Sequence, residues 1–95
     1  MKTYSFKDVY QSALKKGYKE GRSTKHKILI LYVDGKKTNF WTKVSHGTSE
    51  IGKGVLVQMR KQMGFDQNVD FESYIDCHMS KEEYIGYLRQ KGNNF

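Results

Sequence analysis

The segment KHKILILYVDGKKTNFWTKVSH, residues 25–46, constrains the fold more than any other part of the chain. Two runs rich in β-branched and aromatic residues flank Asp34-Gly35, a pair that suits the centre of a two-residue hairpin turn because both positions need positive φ. With the turn placed there, Val33 faces Lys36, Leu31 faces Thr38 and Leu29 faces Phe40. The intervening pairs are Tyr32 with Lys37, Ile30 with Asn39, Ile28 with Trp41 and His26 with Lys43. Alternation along a strand then separates two surfaces. Leu29, Leu31, Val33, Phe40 and Val44 form the expected core face. His26, Ile28, Ile30, Tyr32, Lys37, Asn39, Trp41 and Lys43 form the other, which is more apolar than a solvated sheet surface needs to be. Either another part of the chain covers that face or a partner does.

Helical periodicity flanks the hairpin. Phe6, Val9, Tyr10, Ala13 and Leu14 make one stripe of a helix over about residues 5–19, with Ser5 and Asp8 as a capping box and Gly17 as an exit. After the hairpin, Val55, Leu56, Met59 and Met63 make a second stripe that Gly64 ends. The backbone N–H groups of residues 51–54, at the start of that helix, are placed to meet a phosphate. Phe71, Tyr74 and Ile75 mark a short third helix. Ser80 and Glu83 cap a fourth, in which Tyr84, Ile85 and Leu88 face inward. These elements predict an α+β fold: an N-terminal helix, an antiparallel hairpin or three-stranded sheet, a helix, and short C-terminal helices. In the three-stranded alternative, the third strand comes from a bend within residues 36–46. Residues 1–68 are read as the core unit and 69–95 as a helical extension of the same domain.

Charge is unevenly spread. Residues 1–47 hold eleven Lys or Arg against three acids, a balance of +8, whereas residues 48–95 hold six against seven, a balance of −1. Such asymmetry points to a polyanionic partner met by the first half. No run approaches the roughly 20 apolar residues of a membrane span, and the N-terminus lacks the pattern of a secretory signal. A lone cysteine, Cys77, excludes an internal disulfide and fits a reducing cytosol. The expectation is a soluble cytoplasmic domain. Cys77, His78, His26 and His46 lack zinc-ligand spacing, and the turn before the second helix matches no phosphate-binding loop, so neither metal nor cofactor is expected.

From Thr38 to Ile75 the order is strand, His46-Gly47, a polar pair, Glu50-Ile51, Gly54, then a short helix with Leu56 and Met59 that ends Lys61-Gln62-Met63-Gly64. This order resembles the HicA family of small mRNA interferase toxins. The N-terminal helix leading into KKGYKEGRSTKH is similar to the same family's first helix, turn and histidine-bearing strand. The resemblance implies a double-stranded-RNA-binding-domain-like fold, metal-independent endoribonuclease activity and a HicB-type antitoxin as partner. His26 stands where the family's catalytic histidine stands, although Ser23-Thr24-Lys25 precedes it instead of the usual glycine-serine.

On that reading His26 is the base that takes the 2′-OH proton of RNA, since imidazole titrates near neutrality. Lys25, Lys27 or Lys43 neutralises charge on the reacting phosphate. Lys37 and Trp41 contribute charge and stacking, and His46 binds phosphate, acts as the acid or steadies the turn into the second helix. Two other readings stay open. One is an RNA-binding module without cleavage. The other is a protein-interaction or regulatory domain, for example a mobile-element inhibitor, that uses the apolar hairpin face.

Overall fold

The computed structural model describes residues 2–21, 27–44 and 50–93. In chain order the elements are α1 (Phe6–Lys15), β1 (Tyr18–Gly21), β2 (Lys27–Val33), β3 (Lys36–Val44), α2 (Lys53–Gln62), α3 (Asn68–Ile75) and α4 (Lys81–Gln90). The strands form one antiparallel sheet in the order β1-β2-β3. The fold is α+β, with an N-terminal helix, three strands and then helices.

Helix α1 begins as expected. The Ser5 hydroxyl accepts from the Asp8 N–H at 3.2 Å and the Asp8 carboxylate accepts from the Ser5 N–H at 3.0 Å. The bond from the Ser5 N–H to the carboxylate is the leading cause that holds the Asp8 carboxyl below the usual range. The helix stops at Lys15, earlier than its apolar stripe predicts, because Gly17 takes φ 104 and turns the chain into a strand. Its carbonyl accepts from the Tyr32 N–H at 2.9 Å, which starts the β1–β2 ladder. The third strand is therefore Tyr18–Gly21, before the hairpin, and not a bent part of residues 36–46. Tyr18 pairs with Leu31 and Glu20 with Leu29.

The hairpin turn falls on Asp34 and Gly35, at φ 52 and 78, which is the all-positive geometry of a two-residue turn. Val33 pairs with Lys36 and Tyr32 with Lys37, as expected. Beyond them the register slips by two residues, so Ile30 pairs with Trp41, Leu29 with Thr42 and Ile28 with Lys43. The expected pairing of His26 with Lys43 is thereby replaced by Ile28 with Lys43. An even slip keeps every side chain on its own face, since faces alternate with period two.

All four helices contribute to one core on the Leu29, Leu31, Val33 and Val44 side of the sheet. Val9 and Ala13 come from α1, Leu56 and Met59 from α2, Phe71, Tyr74 and Ile75 from α3, and Tyr84 and Leu88 from α4. Leu14 and Val55, expected inside, are exposed. Phe65, between α2 and α3, lies 5.1 Å from the Tyr84 ring and 5.7 Å from Phe71, so the C-terminal helices close over one aromatic centre. The Tyr84 hydroxyl donates to the Met63 carbonyl at 2.6 Å, which leaves Tyr18 as donor in the 2.6 Å contact between the Tyr18 and Tyr84 hydroxyls. No helix among the described residues is long and apolar enough to cross a membrane.

Candidate functional site

Because the helices gather on one side, the opposite side of the sheet is left as a surface. Alternation along the strands puts Lys19 and Gly21 of β1, Ile28, Ile30 and Tyr32 of β2, and Lys37, Asn39, Trp41 and Lys43 of β3 on it. None of Ile28, Ile30, Tyr32 or Trp41 belongs to the core or to the side chains packed against it, so among the described residues no helix covers this face. The C-terminal helices pack on the other side.

Local sequence explains how the platform is built. Ile30 lies opposite Trp41 on one strand and Lys19 on the other. A side chain at Gly21 would approach the Ile30 Cδ1 to 2.8 Å, so the glycine makes room for the isoleucine. Trp41 keeps 40% of its surface in solvent. The Lys19 ammonium stands 4.9 Å from the Tyr32 ring centroid, an interaction of cation and ring face that orients both. Lys37 is the cross-strand partner of Tyr32, and Lys43 of Ile28. The result is an apolar and aromatic centre ringed by three lysines. Among the described strand residues on this face there is no carboxylate, while Asp34 of the turn lines a cleft with Lys19 and Tyr32.

The residues expected from the sequence divide as follows. Lys37, Trp41 and Lys43 share the open face. Lys27 does not: it pairs with Val44, on the helix side, where its ammonium lies 4.7 Å from the Tyr10 ring centroid and 3.8 Å from the Glu20 carboxylate. The Tyr10 hydroxyl donates to that carboxylate at 2.8 Å, which raises the phenol's pKa. Lys25, His26 and His46 lie outside the described residues. Lys27, the first residue of β2, and Val44, the last of β3, pair at one end of the sheet. Lys19 was not anticipated, because β1 itself was not; once the strand is known, its parity places Lys19 beside Tyr32.

The start of α2 is partly committed elsewhere. The Ile51 N–H donates to the Tyr4 carbonyl at 2.8 Å, so it is not available to a phosphate. At the free edge of β3 a cleft of about 620 Å³ is lined by Lys36, Lys37, Asn39, Phe40 and Asn93, among others. Lys37 and Asn39 belong to both surfaces, so the cleft runs on from the platform around the hairpin edge. No group of three or more His, Cys, Asp or Glu among the described residues is arranged to hold a metal ion.

Compared with known proteins, the chain matches no family model, no curated protein and no solved structure.

Proposed function

We propose that the chain is an RNA-binding protein of the cytoplasm and that the open face of its sheet takes up single-stranded RNA. The carrying observation is that exposed Trp41 and half-buried Tyr32 lie among Lys19, Lys37 and Lys43 on a face whose described strand residues include no carboxylate. Bases stack on flat aromatic surfaces whatever their sequence, while lysines follow the phosphates. A protein partner buried against this face would have to desolvate three ammonium groups or bring carboxylates to meet them.

RNA cleavage of the HicA type is the enzymatic extension of this reading. In it, His26 removes the 2′-OH proton, and the oxygen so freed attacks the adjacent phosphorus. The 5′-oxygen leaves with a proton from an acid, for which His46 is the candidate. The products are a 2′,3′-cyclic phosphate and a free 5′-hydroxyl, with no metal in the balance. What supports it among the described residues is Lys43, exposed on the open face next to the paired ends of β2 and β3.

Titrating a fluorescent RNA oligonucleotide into the protein at several salt concentrations tests binding. Affinity should fall as salt rises and Trp41 emission should be quenched. Salt-independent behaviour with unquenched emission would sink the RNA reading. Cleavage is tested separately: His26→Gln should still bind RNA while yielding no cyclic-phosphate ends. Unchanged cleavage by that variant removes His26 from the mechanism.

A further inference from the structure

A second group of cations adjoins the open face at the turn end of the sheet. A cleft of about 340 Å³ is lined there by Leu14, Lys15, Lys19, Tyr32, Asp34 and Lys81, among others. Lys19 and Tyr32 belong to the platform as well, so the cleft continues it. The three lysines come from three elements: Lys15 ends α1, Lys19 lies in β1 and Lys81 opens α4. Gly17 lets them meet. A Cβ there would lie 3.4 Å from the Lys81 Cε, so the lysine stem runs against the turn out of α1. The Gly17 carbonyl accepts from the Tyr32 N–H at 2.9 Å, which fixes that turn to the strand bearing Tyr32.

The chain does not balance these charges itself. Among the described residues, Lys15, Lys19 and Lys81 form no ion pair. Asp34, the one carboxylate among the described lining residues, lies 3.9 Å from the Arg89 guanidinium of α4. Lys81 also stands against its own helix. At the first position of α4 the dipole favours an anion, as Glu82 and Glu83 beside it satisfy. Ser80 and Glu83 already cap that end, so the helix gains nothing from a cation there. Ammonium groups gathered at one cleft repel one another, and an anion of more than one charge relieves that repulsion.

We propose that this cleft binds the terminal phosphate monoester of an RNA strand whose bases lie on the open face. The inference rests on the RNA reading and adds to it the recognition of a strand end. An internal phosphodiester carries one negative charge. A phosphate monoester carries about −1.5 to −2 at pH 7 and offers three acceptor oxygens, which suits three ammonium donors. Leu14, 39% exposed, gives the terminal nucleoside an apolar wall.

The experiment titrates three forms of one internally labelled RNA oligonucleotide into the full chain at low salt: without terminal phosphate, with a 5′-phosphate and with a 3′-phosphate. One of the two phosphorylated forms should bind about tenfold tighter than the unphosphorylated one, the combined effect of a few exposed charge contacts. Lys81→Gln should remove most of that gain and leave the affinity of the unphosphorylated form unchanged. The variant keeps the cap of α4 and loses an unfavourable charge from its start, so it should fold. Lys61→Gln, in α2 and outside the cleft, should keep the gain. Equal affinity of all three forms, with the unphosphorylated one bound, overturns the strand-end site and leaves the RNA reading standing. A gain that survives Lys81→Gln, or that Lys61→Gln removes equally, also overturns it. Failure of every form to bind sinks both.

Discussion

The Leu31 carbonyl accepts from the side chain of Thr38, whose hydroxyl donates to it at 2.8 Å. The same hydroxyl oxygen accepts from the Phe40 N–H at 3.2 Å. These bonds lie where the β2–β3 register slips, between Tyr32 with Lys37 and Ile30 with Trp41. A bulge interrupts the ladder and leaves backbone groups to be satisfied in another way. Thr38 does so with one hydroxyl, and the hairpin keeps its extra residues on the strand that carries Trp41.

Thr38→Val keeps the shape and removes both bonds. Losing a hydrogen-bonded hydroxyl at a partly buried site costs about 1–2 kcal/mol, so the urea midpoint should fall by that equivalent with an unchanged m value. Trp41 should stay on the open face, because an even slip in either direction preserves parity. A Trp41 emission maximum shifted to the blue in the folded variant would show that the bulge sets the face as well as the register.

The buried tyrosines predict alkaline instability. Burial, the leading cause, raises the pKa of Tyr4, Tyr18, Tyr74 and Tyr84. For such an acid the folded state holds its proton where the unfolded state has lost it. Their contribution is complete below the unfolded phenol value, near 10, and is lost as pH rises above it toward the folded values. Lys16 acts in the opposite sense, as its folded pKa is lowered, but it is one group against four. Thermal midpoints should be nearly level from pH 7 to 9 with respect to these groups and fall steeply above about 10. Tyr18→Phe should flatten that fall; an equally steep fall in the variant would remove Tyr18 from the account.

The turn, the two sheet faces and the capping boxes at Ser5 and Ser80 were legible because each depends on residues at most a few positions apart. The register was not, since a bulge closed by Thr38 leaves no mark on hydrophobic alternation. Strand β1 escaped notice for a related reason. Its four residues, Tyr18 to Gly21, bury one large side chain, and the strand exists because Leu31 and Leu29 offer it a partner. With β1 went Lys19, the third cation of the open face. The contact of Lys16 was not legible either, since its partner Tyr74 lies 58 residues away. The face that carries Trp41, Lys37 and Lys43 followed from parity; that it stays open depended on where α3 and α4 pack, which tertiary contacts decide.

Gly64 predicts a local packing failure. It takes φ 88, and a Cβ there would lie 2.7 Å from the Leu88 Cδ2 and 2.8 Å from the Phe40 Cε1. Gly64→Ala therefore combines backbone strain with overpacking between α4 and the bulged strand, each costing about 1–3 kcal/mol. Denaturant unfolding should show a loss in that range or a failure to fold. Tolerance within a few tenths of a kcal/mol would mean that α4 packs more loosely against β3 than its contacts imply.

Lys27 and Lys43 separate the two sides of the sheet in one experiment. Both are basic and both sit at the end of the hairpin away from the turn, but Lys27 faces Tyr10 and Glu20 whereas Lys43 lies beside Trp41 on the open face. If RNA lies on that face, Lys43→Gln should reduce the slope of log affinity against log salt by about 0.7, as expected for one phosphate contact on a single strand. Lys27→Gln should leave the slope unchanged. Trp41→Ala should weaken binding by about 1–3 kcal/mol, roughly 5- to 150-fold, with the slope preserved because stacking releases no counterions. Circular dichroism would confirm that all three variants remain folded. A slope reduced by Lys27→Gln but not by Lys43→Gln would move the RNA to the helix side, where Lys27 and Tyr10 already form a contact of cation and ring, and would leave the open face to another partner.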